Sequence, residues 1–536
     1  MPLKRSPISR LTTVGLWIVC AWQVTNGLLL SVLAVRNWRW FCQRRRTLLA
    51  TRAERALSVA VLLPAYQEAG TIEACLCALH ALDRRGVRDL VVYVIGTARE
   101  GGDRHAPGHT YGAVEAVRHA PGFGVEVRYV HDPSEAGGKA EQLNYALATH
   151  RAELEPFDYL LVLDADVTVS PDLLTIAGAE LALRNAQRLP DPIVLQPLVV
   201  TTLPASASSG LTGGLLAADA MMQTRWRLGF ELTRLRTAGW AADGGALRRV
   251  VEPVVYCVGA CLFVQTRYIL RHGFPTPVED TALGYRLTFA RQPMAPLPAL
   301  ACNPNEAQVG DIIRQSGAWF LSGQSIFREL AGYLARPGPR SPGDRARAVW
   351  MVARDQGRML SWLPAPGIIT ALIALHLRRS HPRDWRPVRL WVLLFLLDAT
   401  SCERAIAWMR ARPCGVALAG FDGARVGTTL VGCHLRWAIR SALPAFFLVE
   451  QWVRSWLRRD AAADDPGGDQ RGSSPGCDVT APGSRRIRRD PGPNETIDMS
   501  AFGAGCSGVT PCHMSPGMED MPVPTPHHAD RPRCNP

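Results

Sequence analysis

The apolar run Tyr159-Leu160-Leu161-Val162-Leu163 leads directly into Asp164-Ala165-Asp166. Two carboxylates one residue apart at the end of a strand are oxygen donors of the kind a hard divalent cation takes, together with substrate phosphates. In an open parallel sheet, ligands bind beyond the carboxyl ends of the strands. The triplet therefore points to a cation site serving a diphosphate substrate. Surface turns also produce Asp-x-Asp, so its weight comes from three further stretches that accompany it in a set order.

The first is Leu63-Pro64-Ala65-Tyr66-Gln67-Glu68. Pro64 ends a strand, Tyr66 offers a ring against which a nucleobase can pack, and Glu68 can accept hydrogen bonds from base or ribose. The plainer alternative is a strand-to-helix turn with Glu68 in the first helical turn. The second is Gly137-Gly138-Lys139-Ala140-Glu141-Gln142-Leu143-Asn144, where the glycines permit close backbone approach and the helix start favours negative charge. Lysine occurs in this chain only at Lys4 and Lys139, although Lys and Arg together number 60. A position that keeps an ammonium in so arginine-biased a chain suits a compact charge against phosphate. Asn144 either faces the donor or caps local backbone. The third is Val278-Glu279-Asp280, opening the amphipathic segment Thr281 to Phe289. Asp280 there is either a general base or half of an acidic helix cap.

In this order and spacing the four motifs resemble glycosyltransferase family 2, an inverting group with the GT-A fold. Gln315 and Trp319 add the frame of the Gln-x-x-Arg-Trp motif of its membrane-integrated cellulose, chitin and hyaluronan synthase type. The resemblance covers roughly Ser58 to Gly323. It implies an α/β, Rossmann-like nucleotide-sugar-binding domain with flanking transmembrane helices. It assigns Pro64, Tyr66, Glu68, Lys139, Asp164, Gln315 and Trp319 to donor and acceptor binding. Asp166, with Asp164, would hold Mg²⁺ or Mn²⁺, and Asp280 would be the base.

Two departures bear on specificity. Val94-Ile95-Gly96-Thr97-Ala98-Arg99-Glu100 lacks the aspartate that most members carry after the second strand, with Glu100 and Asp103 as the nearest carboxylates. Ala318 stands where the synthase motif has arginine, with Arg314 one turn away. The expected activity is transfer from a nucleotide sugar, a UDP-sugar by expectation, to a saccharide or lipid-linked acceptor in cell-envelope or exopolysaccharide synthesis. The alternatives are a single transfer onto a polyprenyl phosphate and a catalytically inactive scaffold that binds nucleotide sugar. An export partner subunit is left open.

These residues need a sheet to carry them. Candidate strands are Ser58 to Leu63, Leu90 to Ile95, Val125 to Val130, Tyr159 to Leu163 and Ile193 to Val200, alternating with amphipathic helices in a mainly parallel sheet. Ala140, Leu143 and Leu147 give the helix after Gly138 one apolar face.

The net charge of +13 suits either nucleic acid or an anionic membrane surface, and the hydropathy favours the membrane. Leu11 to Val35 is nearly uncharged and long enough to span a bilayer. Arginines cluster after it, so the positive-inside rule expects a multi-pass plasma-membrane protein with its catalytic domain cytoplasmic. Met359 to Leu377, Leu390 to Thr400, Cys414 to Cys433 and Ser441 to Trp456 are further membrane candidates. The expected division is an N-terminal anchor (1–55), a transferase domain (56–335), membrane or interfacial helices (336–458) and a disordered tail (459–536) rich in Pro, Gly, Ser, Asp and Arg. The 14 cysteines follow no zinc spacing, and Cys75, Cys77, Cys257 and Cys261 read as small buried hydrophobes.

Overall fold

The structure, a computed structural model, describes residues 7–51, 56–106, 108–135, 137–203, 210–242, 250–336, 341–362 and 385–411, with 373–374 and 377–378 besides. Its centre is an eight-stranded sheet. In chain order the strands are β1 (Leu57–Pro64), β2 (Val87–Thr97), β3 (Glu126–Asp132), β4 (Tyr159–Leu163), β5 (Thr168–Val169), β6 (Val194–Thr202), β7 (Cys261–Gln265) and β8 (Met294–Pro304). Across the sheet the order is β3-β2-β1-β4-β7-β6-β8-β5.

All eight residues of β1 are buried, as a central strand covered on both faces requires. Val59, Val61 and Leu63 pack with Ile72, Leu76 and Leu79 on one side. Ala60 and Leu62 meet Leu143, Ala146 and Leu147 on the other. The three apolar positions expected after Gly138 thus form the inner face of the helix Lys139–Thr149.

The five expected strands are present, β4 with the expected limits. Four pairings, β1–β2, β1–β4, β2–β3 and β6–β8, are parallel, in keeping with a mainly parallel sheet, and the other three are antiparallel. β7 runs antiparallel to both neighbours, β4 and β6, and β5 pairs antiparallel with β8. Strand β7 is four buried apolar residues closed by Gln265, and nothing in so short a run encodes direction; the partners decide it.

Leu11 to Val35 falls inside one 44-residue helix, Pro7–Ala50. Ala34, Trp38 and Phe41 of that helix are buried against Val200 of β6, Leu300 of β8, and Met221 and Leu228. Ile406 and Met409 of the helix Arg386–Arg410 join the same cluster. The flanking transmembrane helices are not supported: among the described residues no helix is long and apolar enough to cross a membrane. Leu390 to Thr400 is part of the helix Arg386–Arg410, in which Asp398 is buried in an ion pair with Arg225. Met359 to Leu377 lies mostly outside the described residues, and Cys414 to Cys433, Ser441 to Trp456 and the tail lie wholly outside them. Cys75, Cys257 and Cys261 are buried free thiols, whereas Cys77 is exposed.

Candidate active site

Strands β1, β2 and β4 run parallel, so their carboxyl ends meet at one edge of the sheet. At the end of β1, Pro64 is buried and paired with Ile95, and the Ala65 N–H donates to Ile95 O at 2.9 Å. Gln67 takes a left-handed φ of 60°, which reverses the chain and leaves Tyr66 and Glu68 half-buried at the rim. Buried Gln142 braces this turn by donating through Nε2 to Ala65 O and Ile95 O, both at 3.2 Å.

The Tyr66 ring, expected to meet a nucleobase, is covered by the Arg99 guanidinium at 4.5 Å from its centroid. Arg99 also donates to Gly137 O. Glu68 accepts from the Thr71 hydroxyl at 2.5 Å, while its own N–H donates to Thr110 Oγ1 at 3.0 Å. Thr110 in turn donates to Glu100 Oε1 from its N–H at 2.7 Å and its hydroxyl at 2.9 Å. Glu100 is thereby tied into the turn after β1, and its Oε2 is buried without a hydrogen bond. Asp103 is exposed and accepts from the His105 N–H at 3.0 Å.

Gly137, at φ 105°, turns the chain into the helix Lys139–Thr149, and Glu141 accepts from the Gly138 N–H at 2.8 Å. Lys139 then meets three separate segments of the chain. Its ammonium lies 2.5 Å from Asp164 Oδ1, 2.9 Å from Glu279 Oε1 and 3.0 Å from Gly259 O. Burial disfavours the charged ammonium, but Asp164, Glu279 and Asp280 outweigh it and hold its pKa well above the usual lysine range.

Asp280 sits in the first turn of the helix Glu279–Phe289, as expected. Its Oδ2 accepts from the Gly259 N–H at 2.7 Å, and its Oδ1 accepts from the Thr281 N–H at 2.5 Å and hydroxyl at 3.1 Å. Burial, then Glu279, raise its pKa against the opposing pull of Lys139 and the two N–H donors. The helix is held close because a Cβ at Gly284 would stand 2.4 Å from Tyr256 Cα. A Cβ at Gly259 would stand 2.8 Å from Asp280 Oδ2. Both glycines are therefore required by close approach rather than by backbone torsion.

Asp166, half-buried two residues beyond Asp164, has its pKa pushed up to about 7 by burial and then by Asp164, Glu68 and Glu306. Asp164, Glu68 and Glu306 thus act on Asp166 with charge of one sign, a pattern a divalent ion relieves. Among the described residues no three His, Cys, Asp or Glu make a complete metal cage. A site completed by substrate phosphates needs none, so the donors present fit Mg²⁺ or Mn²⁺.

Gln315, on the helix Val309–Ala335, donates to Glu306 Oε1 at 3.0 Å and so joins this acidic group. Trp319, one turn on, is 43% exposed. Arg314 turns instead to Asp311 and is 77% exposed, so it does not stand in for the arginine absent at Ala318. Asn144 is structural: it donates to Phe274 O at 2.9 Å and accepts from the Phe274 N–H at 2.8 Å.

Gly259, Gln142, Glu306 and the contact of Glu279 with Lys139 were not legible as parts of the site in the sequence. Glu279 and Gln142 do lie within the stretches Val278–Asp280 and Gly137–Asn144. Gly259 carried only the faint signal of a glycine between two apolar runs.

No family model matches the chain, and no curated protein matches it. Among solved structures it is similar to a mannosyltransferase from Pyrobaculum calidifontis in complex with GDP-Man and Mn²⁺, at 15% identity and a TM-score of 0.38, covering 77% of this chain and 98% of that one. It is similar to S. aureus TarS in complex with UDP-GlcNAc, at 13% identity and a TM-score of 0.36, covering 72% and 92% of the two chains. Glucosyl-3-phosphoglycerate synthase from Mycobacterium tuberculosis is similar at 17% identity and a TM-score of 0.30, over 55% of this chain and 84% of that one. At these identities and scores the likeness decides neither substrate nor family, since one architecture hosts many activities.

Proposed function

We propose that the chain is an inverting, divalent-cation-dependent glycosyltransferase, of the family 2 type, acting from a nucleotide sugar onto a saccharide or lipid-linked acceptor of the cell envelope. One observation carries this reading. Lys139, together with the C=O of Gly259 that accepts from it and the N–H of Gly259 that donates to Asp280, ties Asp164, at the end of β4, to Asp280, on a separate helix. The end of β4, where the donor diphosphate would lie, and the candidate base are thus held together.

In this reading the donor base displaces the Arg99 guanidinium from the Tyr66 ring and the ribose lies at Glu68, while Lys139 exchanges a carboxylate for a donor phosphate oxygen. A divalent ion bound by Asp166 and Asp164 would offset charge on the departing nucleoside diphosphate. Asp280 accepts the proton of the acceptor hydroxyl as that oxygen attacks the anomeric carbon. Its raised pKa suits a base working near neutral pH. Direct attack inverts the anomeric centre, so an α-linked donor gives a β-linked product. Trp319 offers an exposed indole for an acceptor sugar.

Ala318, and Arg314 turned away to Asp311, favour a second form of the same chemistry: transfer of one sugar onto a polyprenyl phosphate. Product length separates it from a polymerase. Association with the plasma membrane on its cytoplasmic side accords with the arginines after Val35 and with the exposed Val14, Trp17, Ile18, Leu29 and Val32.

The test is nucleoside diphosphate release across UDP- and GDP-sugars, with Mn²⁺ or Mg²⁺ and membrane lipid present, comparing wild type with Asp280→Asn. Cation-dependent release from one donor, lost in the folded variant, is expected. Donor binding without turnover across the panel would instead make the chain a scaffold.

A further inference from the structure

A cleft of about 310 Å³ opens away from the residues of the candidate active site, none of which lines it. Its floor includes Met294, the first residue of β8, whose partner Val194 opens β6. Strands β4 and β6 both run antiparallel to β7 and hence parallel to each other. The cleft therefore lies at the amino ends of the strands, opposite the candidate active site. Its volume is at the lower end of small-ligand pockets, roughly 300 to 1,000 Å³.

Three arginines, Arg44, Arg184 and Arg236, line it against a single carboxylate, Glu180. Arg44 already holds Glu180, with Nε 3.2 Å from Oε2 and Nη2 3.1 and 2.8 Å from the two oxygens. Arg184 donates to Pro190 O at 3.3 and 3.1 Å. Arg236 donates to Asn37 Oδ1 at 2.6 Å and lies over the Trp40 ring at 4.4 Å. Burial, then the neighbouring Arg36, hold the Arg236 pKa below the usual arginine range. The lining thus carries more guanidinium than carboxylate in a partly buried space, beside an indole and an apolar floor.

Guanidinium forks match the paired oxygens of phosphate, and the ring and floor suit the apolar portion of a ligand joined to it. We propose that this cleft binds a phosphate-bearing anion, either the head group of an anionic phospholipid or a free polyphosphate. The site is separate from the donor cleft and does not depend on the proposed transferase activity.

Hydrogen exchange of the full chain, with inorganic pyrophosphate or with nanodiscs of phosphatidylglycerol against phosphatidylcholine, tests it. Protection of peptides spanning Trp40 to Arg44 and Leu235 to Arg236 is expected from pyrophosphate, marking a soluble ligand, or from phosphatidylglycerol alone, marking a head group. Arg184→Gln with Arg236→Gln should weaken the protecting ligand by about tenfold or more, while exposed Arg85→Gln should not. Protection by neither probe in the wild type, or protection confined to peptides around Lys139, overturns the proposal even if the double variant fails to fold.

Discussion

The ammonium of Lys139 lies 2.5 Å from Asp164 Oδ1 and 2.9 Å from Glu279 Oε1, bridging the end of β4 to the helix that carries Asp280. In the donor-free protein this cation balances carboxylates that would otherwise repel one another. With a donor bound, the same charge meets phosphate. Lys139→Met should lower kcat/KM by about 10²- to 10³-fold, the usual loss when one stabilising donor to developing charge is removed. Steady-state kinetics with circular dichroism as a fold control checks this, and activity within threefold of wild type would remove Lys139 from the donor site.

Gly259→Ala tests the other half of the bridge. The added Cβ would stand 2.8 Å from Asp280 Oδ2 and 3.0 Å from its Cβ and Cγ, so the carboxylate must move. A displacement of this order at a reacting group costs about 10²-fold in rate. The loss should appear in kcat, with donor binding by calorimetry nearly unchanged. A variant that lost donor affinity but kept kcat would place Asp280 outside the chemistry.

Asp166 makes stability depend on pH. Its pKa is raised from 3.8 to about 7, so folding favours the neutral carboxyl. That contribution is complete below the ordinary value and is lost as pH rises toward 7. The donor-free Tm should therefore fall between about pH 4 and 7 by more in wild type than in Asp166→Asn. Mn²⁺ should reduce the fall, because a bound cation favours the charged carboxylate. Parallel Tm curves for the two proteins would show that Asp166 does not titrate in this range.

Arg225 and Asp398 form an ion pair with 6% and 4% side-chain exposure, Nη1 standing 2.5 Å from Oδ1. Arg225 lies on the helix Gly210–Trp226, and its Nη1 also donates to Ser31 Oγ at 3.3 Å, so three helices meet there. Asp398→Ala should destabilise the protein by about 3–5 kcal/mol through the stranded guanidinium, with Arg225→Met and Asp398→Leu together recovering much of the loss. Denaturant unfolding of the three proteins measures it. A single variant as stable as wild type would mean that water or another acceptor replaces Asp398.

Much of the site could be read along the chain because its parts are local. Asp164 and Asp166 follow an apolar strand, Lys139 follows two glycines, and Asp280 opens an amphipathic helix. Each placement depends on strand period, helix period or glycine chemistry within about a dozen residues. The contacts of Lys139 with Glu279 and Gly259 span many more residues and had no local signature. The same holds for Glu306, which acts on Asp166 from a distant part of the chain and brings Gln315 into the acidic group.

Near-neighbour effects, backbone preference and side-chain periodicity, were enough to read from the chain five of the eight strands, the helix starts at Lys139 and Glu279, and the polar residues at those ends. Only the tertiary structure decided that β7 enters antiparallel between β4 and β6, that Arg99 covers Tyr66, and that Arg314 turns outward to Asp311. It alone also decided that the helix Pro7–Ala50 packs on β6 and β8 through Ala34, Trp38 and Phe41. Those outcomes depend on which distant surfaces exclude water together and which charges they bring within reach, and no stretch of chain carries that information alone.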